Sequence, residues 1–313
     1  MKFASRSLIF LILLIALPLQ AAPEIESWTT QNGARVMYVN APAIPMLDIR
    51  VVFNAGSARD GSLPGIALMT SNLLNDGAGK LSADQLAEAF ESLGAQFTTS
   101  SLRDMAIVTL RTLTDDEVVK ETLDLLEQVL TQPVFAADEI ERRRLQMQVA
   151  LEKQQESPSD TARNTFYSRL FGDHPYGHNP AGEESSIAAI TRDDIRAFFD
   201  RYYVASNAVI AIVGDVGRAQ AEAIAEQLTR DMPAGEKAPP LPRVVQHGQG
   251  ESVAVMMPNG RDAVLATMAA LYGGCRATMI NLVAGSEVAP TGRKWMMRCA
   301  SSPRARTTSV QSV

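Results

Sequence analysis

The sequence predicts an α+β protein: an antiparallel sheet covered by helices on one face, forming one complete domain, with a fragment of a second domain after it. Three observations lead there. Short runs rich in β-formers come in neighbouring pairs, residues 35–40 with 47–53 and 97–101 with 105–113. Stretches with apolar residues at helical spacing lie between the pairs, which places helices over a sheet. A proline-rich segment over 232–247 then separates a domain at 23–231 from a remainder at 248–313.

The elements follow in order. Lys2 and Arg6 precede an apolar run from Leu8 to Leu19, and Gln20-Ala21-Ala22 offers small residues for cleavage. Residues 1–22 therefore read as a signal peptide, with an apolar core shorter than the roughly 20 residues a membrane span needs. The expected location is the periplasm or the exterior, with no stable membrane insertion after cleavage. Arg35–Asn40 and Leu47–Phe53 read as strands, Ala55–Pro64 as a Gly/Ser turn and Gly65–Leu74 as a helix. Ser82-Ala83-Asp84-Gln85 is a capping-box pattern opening a helix that Gly94 stops. Phe97–Ser101 and Met105–Leu113 read as an antiparallel hairpin. Asp115–Leu130 is amphipathic, Pro133 breaks it, and Ala137–Gln155 is a long polar helix. Its Arg142-Arg143-Arg144 triplet reads as a solvated face. Helices over 161–171, 191–203 and 216–231 and a buried-type strand over 208–213 complete the domain.

Composition excludes several chemistries. The 313 residues carry 29 Lys+Arg against 35 Asp+Glu, and only 3 His and 2 Cys. A net charge of −6 gives no basis for nucleic-acid binding, which rests on basic side chains neutralising phosphates. No cysteine precedes Cys275, so an oxidising compartment adds no disulfide to the main domain. His174 and His178 are four apart, but Pro175 and Gly177 make that stretch a turn rather than a ligand-bearing helix. Glu183-Glu184 and Asp193-Asp194 are adjacent carboxylates; Thr191 with Asp194 reads as a helix cap. Gly273-Gly274 lacks the lysine of a phosphate loop, and Ser100 and Ser101 have no nearby base.

Five segments carry a resemblance. Asn32-Gly33-Ala34-Arg35-Val36, Ala55-Gly56-Ser57-Ala58-Arg59-Asp60, Leu93-Gly94-Ala95-Gln96-Phe97, Gly172-Asp173-His174-Pro175-Tyr176-Gly177, and Asn207 through Val213-Gly214-Asp215 occur in that order. Over residues 26–245 they resemble the N-terminal domain of the pitrilysin/insulinase clan of zinc peptidases, which includes mitochondrial processing peptidase. The resemblance implies an α/β sandwich of the processing-peptidase type. Active members carry H-x-x-E-H on the helix after the Gly-Ser turn: two His on one helix face bind zinc, and the Glu activates the zinc-bound water. Aligning Gly65-Ile66-Ala67 with the family's G-L-A puts Leu68, Ser71 and Asn72 at those three positions, and the third ligand near Glu152 or Lys153. Leu68 has no lone pair, Ser71 is a poor base and Asn72 a weak ligand for zinc.

No catalytic, metal or cofactor-binding residue is therefore assigned, and zinc is expected only in a partner. The resemblance implies a non-catalytic subunit that helps enclose peptide substrates in a heterodimer with an active zinc-peptidase subunit. A stand-alone peptide-binding or chaperone-like module, or a non-functional truncated product, are the alternatives. The Arg and Tyr that such subunits contribute from their second domain are missing, since Tyr272 is the only tyrosine after the linker.

Residues 272–313 differ from the rest. They hold six basic residues against Glu287 alone, a net of +5 that leaves −11 for the preceding part, and they lose apolar periodicity. The family pattern fits Ala270-Leu271-Tyr272 and then stops. Read one base earlier, the codons for Cys275–Met279 can spell Gly-Asn-His, the same frame through Gly285 permits Gly-Gly-Gly, and Arg298–Ser302 can spell Met-Arg-Glu-Gln, as the family pattern has it. The gene is therefore expected to be frameshifted or mis-sequenced after about residue 272.

Overall fold

A computed structural model describes residues 24–244 and four short strands beyond them. The expected signal peptide and most of the basic segment 272–313 lie outside the described residues. The chain divides into two compact units, Met1–Leu151 with Asn179–Pro240, and Glu152–His178 with Leu241–Val313.

The first unit is built on a six-stranded sheet of β1 (Glu26–Thr29), β2 (Arg35–Asn40), β3 (Met46–Phe53), β6 (Gln96–Ser101), β7 (Ala106–Leu113) and β8 (Ala208–Gly214), in the order β1-β2-β8-β3-β7-β6. The α+β class is as the sequence predicts. Four pairings are antiparallel and one, β2 with β8, is parallel. β8 slots between β2 and β3, so those two sequence neighbours do not pair. Alternation sets the faces: Val36, Tyr38, Leu47, Ile49, Val51, Phe53, Val108, Leu110, Ile210 and Ile212 are all buried on one side. β4 (Gly77–Ala78) and β5 (Leu81–Ser82) form a small separate hairpin.

Helices supply the other half of that core. α1 (Ile66–Leu73) contributes Met69 and Leu73, α2 (Ala83–Ser92) contributes Leu86 and Phe90, and α3 (Asp116–Thr131) contributes Val119, Leu123, Leu126 and Leu130. Their starts follow the sequence. Ser82 accepts from Gln85 N while the Gln85 side chain takes Ser82 N–H, and Asp115 accepts from the amides of Glu117 and Val118. α4 runs Ala137–Glu156, α5 Pro158–Phe171, α6 Glu184–Ala189, α7 Arg192–Tyr202 and α8 Arg218–Arg230. At the start of α7, hydrogen bonds from the Thr191 hydroxyl and amide hold the Asp194 carboxyl below the usual carboxylate range, the capping role expected of this pair.

Two motif asparagines hold the domain's seams. Asn207 is buried; its amide donates to Tyr202 O (2.8 Å) and Asn54 O (3.2 Å), and its oxygen accepts from Ala238 N (3.1 Å). With Ala205 N on Pro233 O and Ser206 N on Ala234 O, this ties the first residues of the proline-rich segment to the domain. Asn32 spans from the β1–β2 turn to the last turn of α8.

In the second unit, α5 begins at a Ser157 cap followed by Pro158 and buries no side chain. Phe171, His174 and Tyr176 pack ring against ring after it. β9 (Ser252–Met257) pairs in parallel with β10 (Arg276–Asn281), and β11 (Met296–Arg298) pairs antiparallel with β12 (Thr307–Ser309).

Candidate functional site

α1 is the helix on which the zinc motif of active relatives would stand, and its placement starts from one carboxylate. Asp60, buried at the end of the Gly-Ser turn, accepts from Gly65 N (2.8 Å) through one oxygen and from Ala67 N (2.9 Å) through the other. It thereby satisfies two of the amides a helix start leaves open and puts negative charge at the positive end of the dipole. Gly65 adopts φ of +99°, which turns the chain from Pro64 into the helix. Asp60→Ala is expected to lower unfolding free energy by about 2 kcal/mol, because both buried amides lose a charged acceptor. Asp60→Asn, which keeps one acceptor, should cost less; urea denaturation of the two variants checks the order.

The face of α1 then carries Leu68, Ser71 and Asn72. Leu68 is half-buried and packs on the core, so its position belongs to the apolar surface. Ser71 is 1% exposed and lies beside the Tyr203 phenol, whose own burial pushes its ionisation far up. Neither hydroxyl makes a hydrogen bond of full geometry among the described residues. A neutral hydroxyl buried beside Tyr203, whose ring itself packs on Phe53 and Phe199, is a poor base toward water. Asn72 is half-buried, and one turn on the Asn75 amide donates to Thr99 Oγ1 of β6 at 2.6 Å, pinning α1 against the edge strand. Glu152 and Lys153 are exposed near the end of α4.

An aliphatic, a buried hydroxyl and an amide do not fit a zinc ion, which takes imidazole, thiolate or carboxylate donors. Among the described residues, no cluster of three or more His, Cys, Asp or Glu is placed to hold a metal. His174 is engaged on both ring nitrogens: Nδ1 accepts from Tyr176 N (3.1 Å) and Nε2 lies 2.9 Å from Pro242 O. Thr191 and Asp194 form the helix cap already described.

The arginine triplet corrects the sequence reading. It is solvated only in part: Arg142 is exposed, yet Arg142 and Arg143 both reach the buried Asp76, and Arg144 donates to the carbonyls of Ile187 and Ile190. These contacts fasten α4 to the end of α1 and to the end of α6. The partner carboxylate lies 66 residues upstream, at a distance no local charge pattern reveals.

β6 forms one edge of the sheet. Its outward side chains, Gln96, Thr98 and Ser100, are exposed and uncharged. An antiparallel edge strand leaves every second residue's N–H and C=O open to a further strand.

Known proteins agree with this architecture. Residues 35–183 match the model of insulinase (peptidase family M16), and residues 189–273 match that of the peptidase M16 inactive domain. A Rickettsia felis protein named an uncharacterized zinc protease is 25% identical over 213 residues, covering 68% of this chain and 51% of that protein. A Helicobacter pylori protein named a non-peptidase homolog is 26% identical over 210 residues, with 67% and 48% covered. The crystal structure of a peptidase M16 inactive domain from Pseudomonas fluorescens is 36% identical, with a TM-score of 0.71 over 75% of this chain and 57% of that one. The chain thus spans about half the length of the curated relatives it matches. With two models of one peptidase family accounting in turn for residues 35–183 and 189–273, the chain belongs to the M16 insulinase/pitrilysin family.

Proposed function

We propose that this chain is a catalytically inactive, exported member of its family, a subunit that helps enclose peptide substrates while a zinc-bearing partner cuts them. One observation carries the reading: the helix that would bear the metal presents Leu68, a buried Ser71 and Asn72. The Helicobacter pylori relative named a non-peptidase homolog is consistent with it. The second domain is taken as incomplete after about residue 272, where the match to the inactive-domain model also ends, at residue 273. The periplasm is the proposed compartment, from the N-terminal segment alone.

The open edge of β6 favours a second reading, a stand-alone peptide-binding module. Extended peptides add to such edges through main-chain bonds, with no need of a metal. Both readings are tested by expressing the mature chain with and without a relative that carries an intact H-x-x-E-H motif. The lone chain is expected to hold less than about 0.1 zinc per molecule and to leave peptides uncut, since its helix lacks the donor set. Co-purification with the zinc-bearing relative supports the subunit. Peptide binding without any such partner supports the module. Stoichiometric zinc with chelator-sensitive cleavage by the lone chain would overturn both.

A further inference from the structure

We infer that Asn32-Gly33 is a site of spontaneous deamidation which the native fold holds closed, and whose reaction permanently unfastens α8 from the β1–β2 turn. The chemistry belongs to the dipeptide. The Gly33 nitrogen attacks Asn32 Cγ, the new N–Cγ bond closes a five-membered succinimide, and Nδ2 leaves as ammonia, taking up the proton that Gly33 gives up. Water from the solvent then opens the ring at either carbonyl, leaving aspartate or isoaspartate. The sum is one water consumed and one ammonia released, without redox. Glycine after asparagine favours this because no side chain hinders the approach.

The structure opposes each step. The leaving group is the most heavily engaged atom of the turn: Asn32 Nδ2 donates to Thr229 O (2.6 Å), Arg230 O (3.0 Å) and Met232 O (3.3 Å). The nucleophile is occupied as well, since Gly33 N donates to Thr30 O at 3.0 Å, with Gly33 at φ of +94°. Swinging Cγ toward the Gly33 nitrogen requires all the bonds to α8 to break together. Reaction therefore proceeds from an opened state in which the end of α8 has left the turn.

The product cannot return. A carboxylate at position 32 has no proton to offer three carbonyl oxygens. It adds negative charge at the C-terminal end of a helix, where the dipole is already negative, and Gln31 N next to it is bonded to the Glu226 carboxylate (3.1 Å). Isoaspartate also lengthens the backbone by a methylene inside a tight turn. One hydrolysis thus converts a reversible opening into a lasting one, and marks chains that have opened.

The test is residue-resolved peptide mapping by mass spectrometry after incubation of the full chain in mildly alkaline buffer, native and in guanidinium chloride. Asn259-Gly260, the same dipeptide elsewhere in the chain, serves as an internal standard for the unfolded rate. Asn32 is expected to deamidate as fast as Asn259 in denaturant and roughly 10-fold or more slowly in the native protein, the suppression set by the opening equilibrium. Equal rates at Asn32 in the two conditions would overturn the proposal. The second arm is Asn32→Asp, expected to shift the urea midpoint downward. A midpoint equal to the parent's would remove the claim that the product cannot refasten.

Discussion

Gly56→Ala is expected to abolish stable folding of the first unit, lowering its unfolding free energy by about 3 kcal/mol or more. The reason is close approach rather than backbone strain, since φ at Gly56 is −81°, open to any residue. A Cβ there would fall onto Arg103 O, Leu102 O and Met105 N. All three are main-chain atoms, so no side chain can swing away. The same place is where the turn is stitched to the β6–β7 hairpin: Ser57 N donates to Leu102 O (2.9 Å) and Ala58 N to Arg103 O (2.8 Å). Relieving the overlap means parting turn from hairpin and losing both bonds, with Ser57 and Ala58 buried around them. Asp60, the cap of α1, sits at the end of the same turn and would shift with it. Gly217→Ala provides the contrast. Its φ is −74° and an added Cβ meets nothing within 4 Å, so the change should be under about 1 kcal/mol. Urea unfolding of the two variants should separate them cleanly; similar midpoints would mean the turn can yield.

Much of this architecture is legible along the chain because its signals are local. The Ser82 and Thr191 caps, the Asp115 start and the alternation in β6 and β7 each involve residues a few positions apart, and each is where the sequence predicts it. Pairing order is a long-range property. Nothing in the composition of β8 says that it enters between β2 and β3 rather than at an edge, so the expected neighbour pairs are only half right. β1 is not legible because four residues, Glu-Ser-Trp-Thr, show too little alternation, nor is α6, whose six residues barely complete a helical pattern. Ser157-Pro158 is the start of α5, about one turn before the expected residue 161.

The site divides in the same way. The loss of zinc donors is read from three positions within five residues, and the structure adds where they lie. Ser71 is enclosed with Tyr203, 132 residues away in sequence, and no spacing rule announces that contact. The motif pieces are legible as marks of resemblance, while their physical tasks are not. Asn32 and Asn207 prove to be side chains that each satisfy three main-chain groups, Asn32 those of Thr229, Arg230 and Met232 at the end of α8 and Asn207 those of Asn54, Tyr202 and Ala238. Arg142, Arg143 and Arg144 show the reverse failure. A run of like charge on a polar helix ordinarily faces water, and only the fold brings a buried carboxylate to it.

That carboxylate sets the other large effect. Asp76→Ala is expected to cost about 2–4 kcal/mol, and the competing terms decide where in that range it falls. The Asp76 side chain is 4% exposed and takes three charged hydrogen bonds: Arg143 Nε (2.6 Å) and Nη2 (2.8 Å) in a two-pronged grip, and Arg142 Nη2 (2.7 Å). Breaking a fully buried pair by removing one partner commonly costs about 3–5 kcal/mol, because the other charge is left without compensation. Here the cations are better off than that. The Arg142 side chain is 44% exposed and keeps Glu139, while Arg143 is 21% exposed and keeps only Gln146. Water and Glu139 therefore recover part of the loss at Arg142, and little of it at Arg143. The expected order of destabilisation is Asp76→Ala first, Arg143→Ala close behind, and Arg142→Ala well below both, at about 1 kcal/mol or less as for other exposed pairs. A double-mutant cycle between Asp76 and Arg143 should return a coupling above about 1 kcal/mol, and one between Asp76 and Arg142 a smaller one. If instead the two arginines prove equivalent, the two-pronged geometry contributes nothing beyond charge.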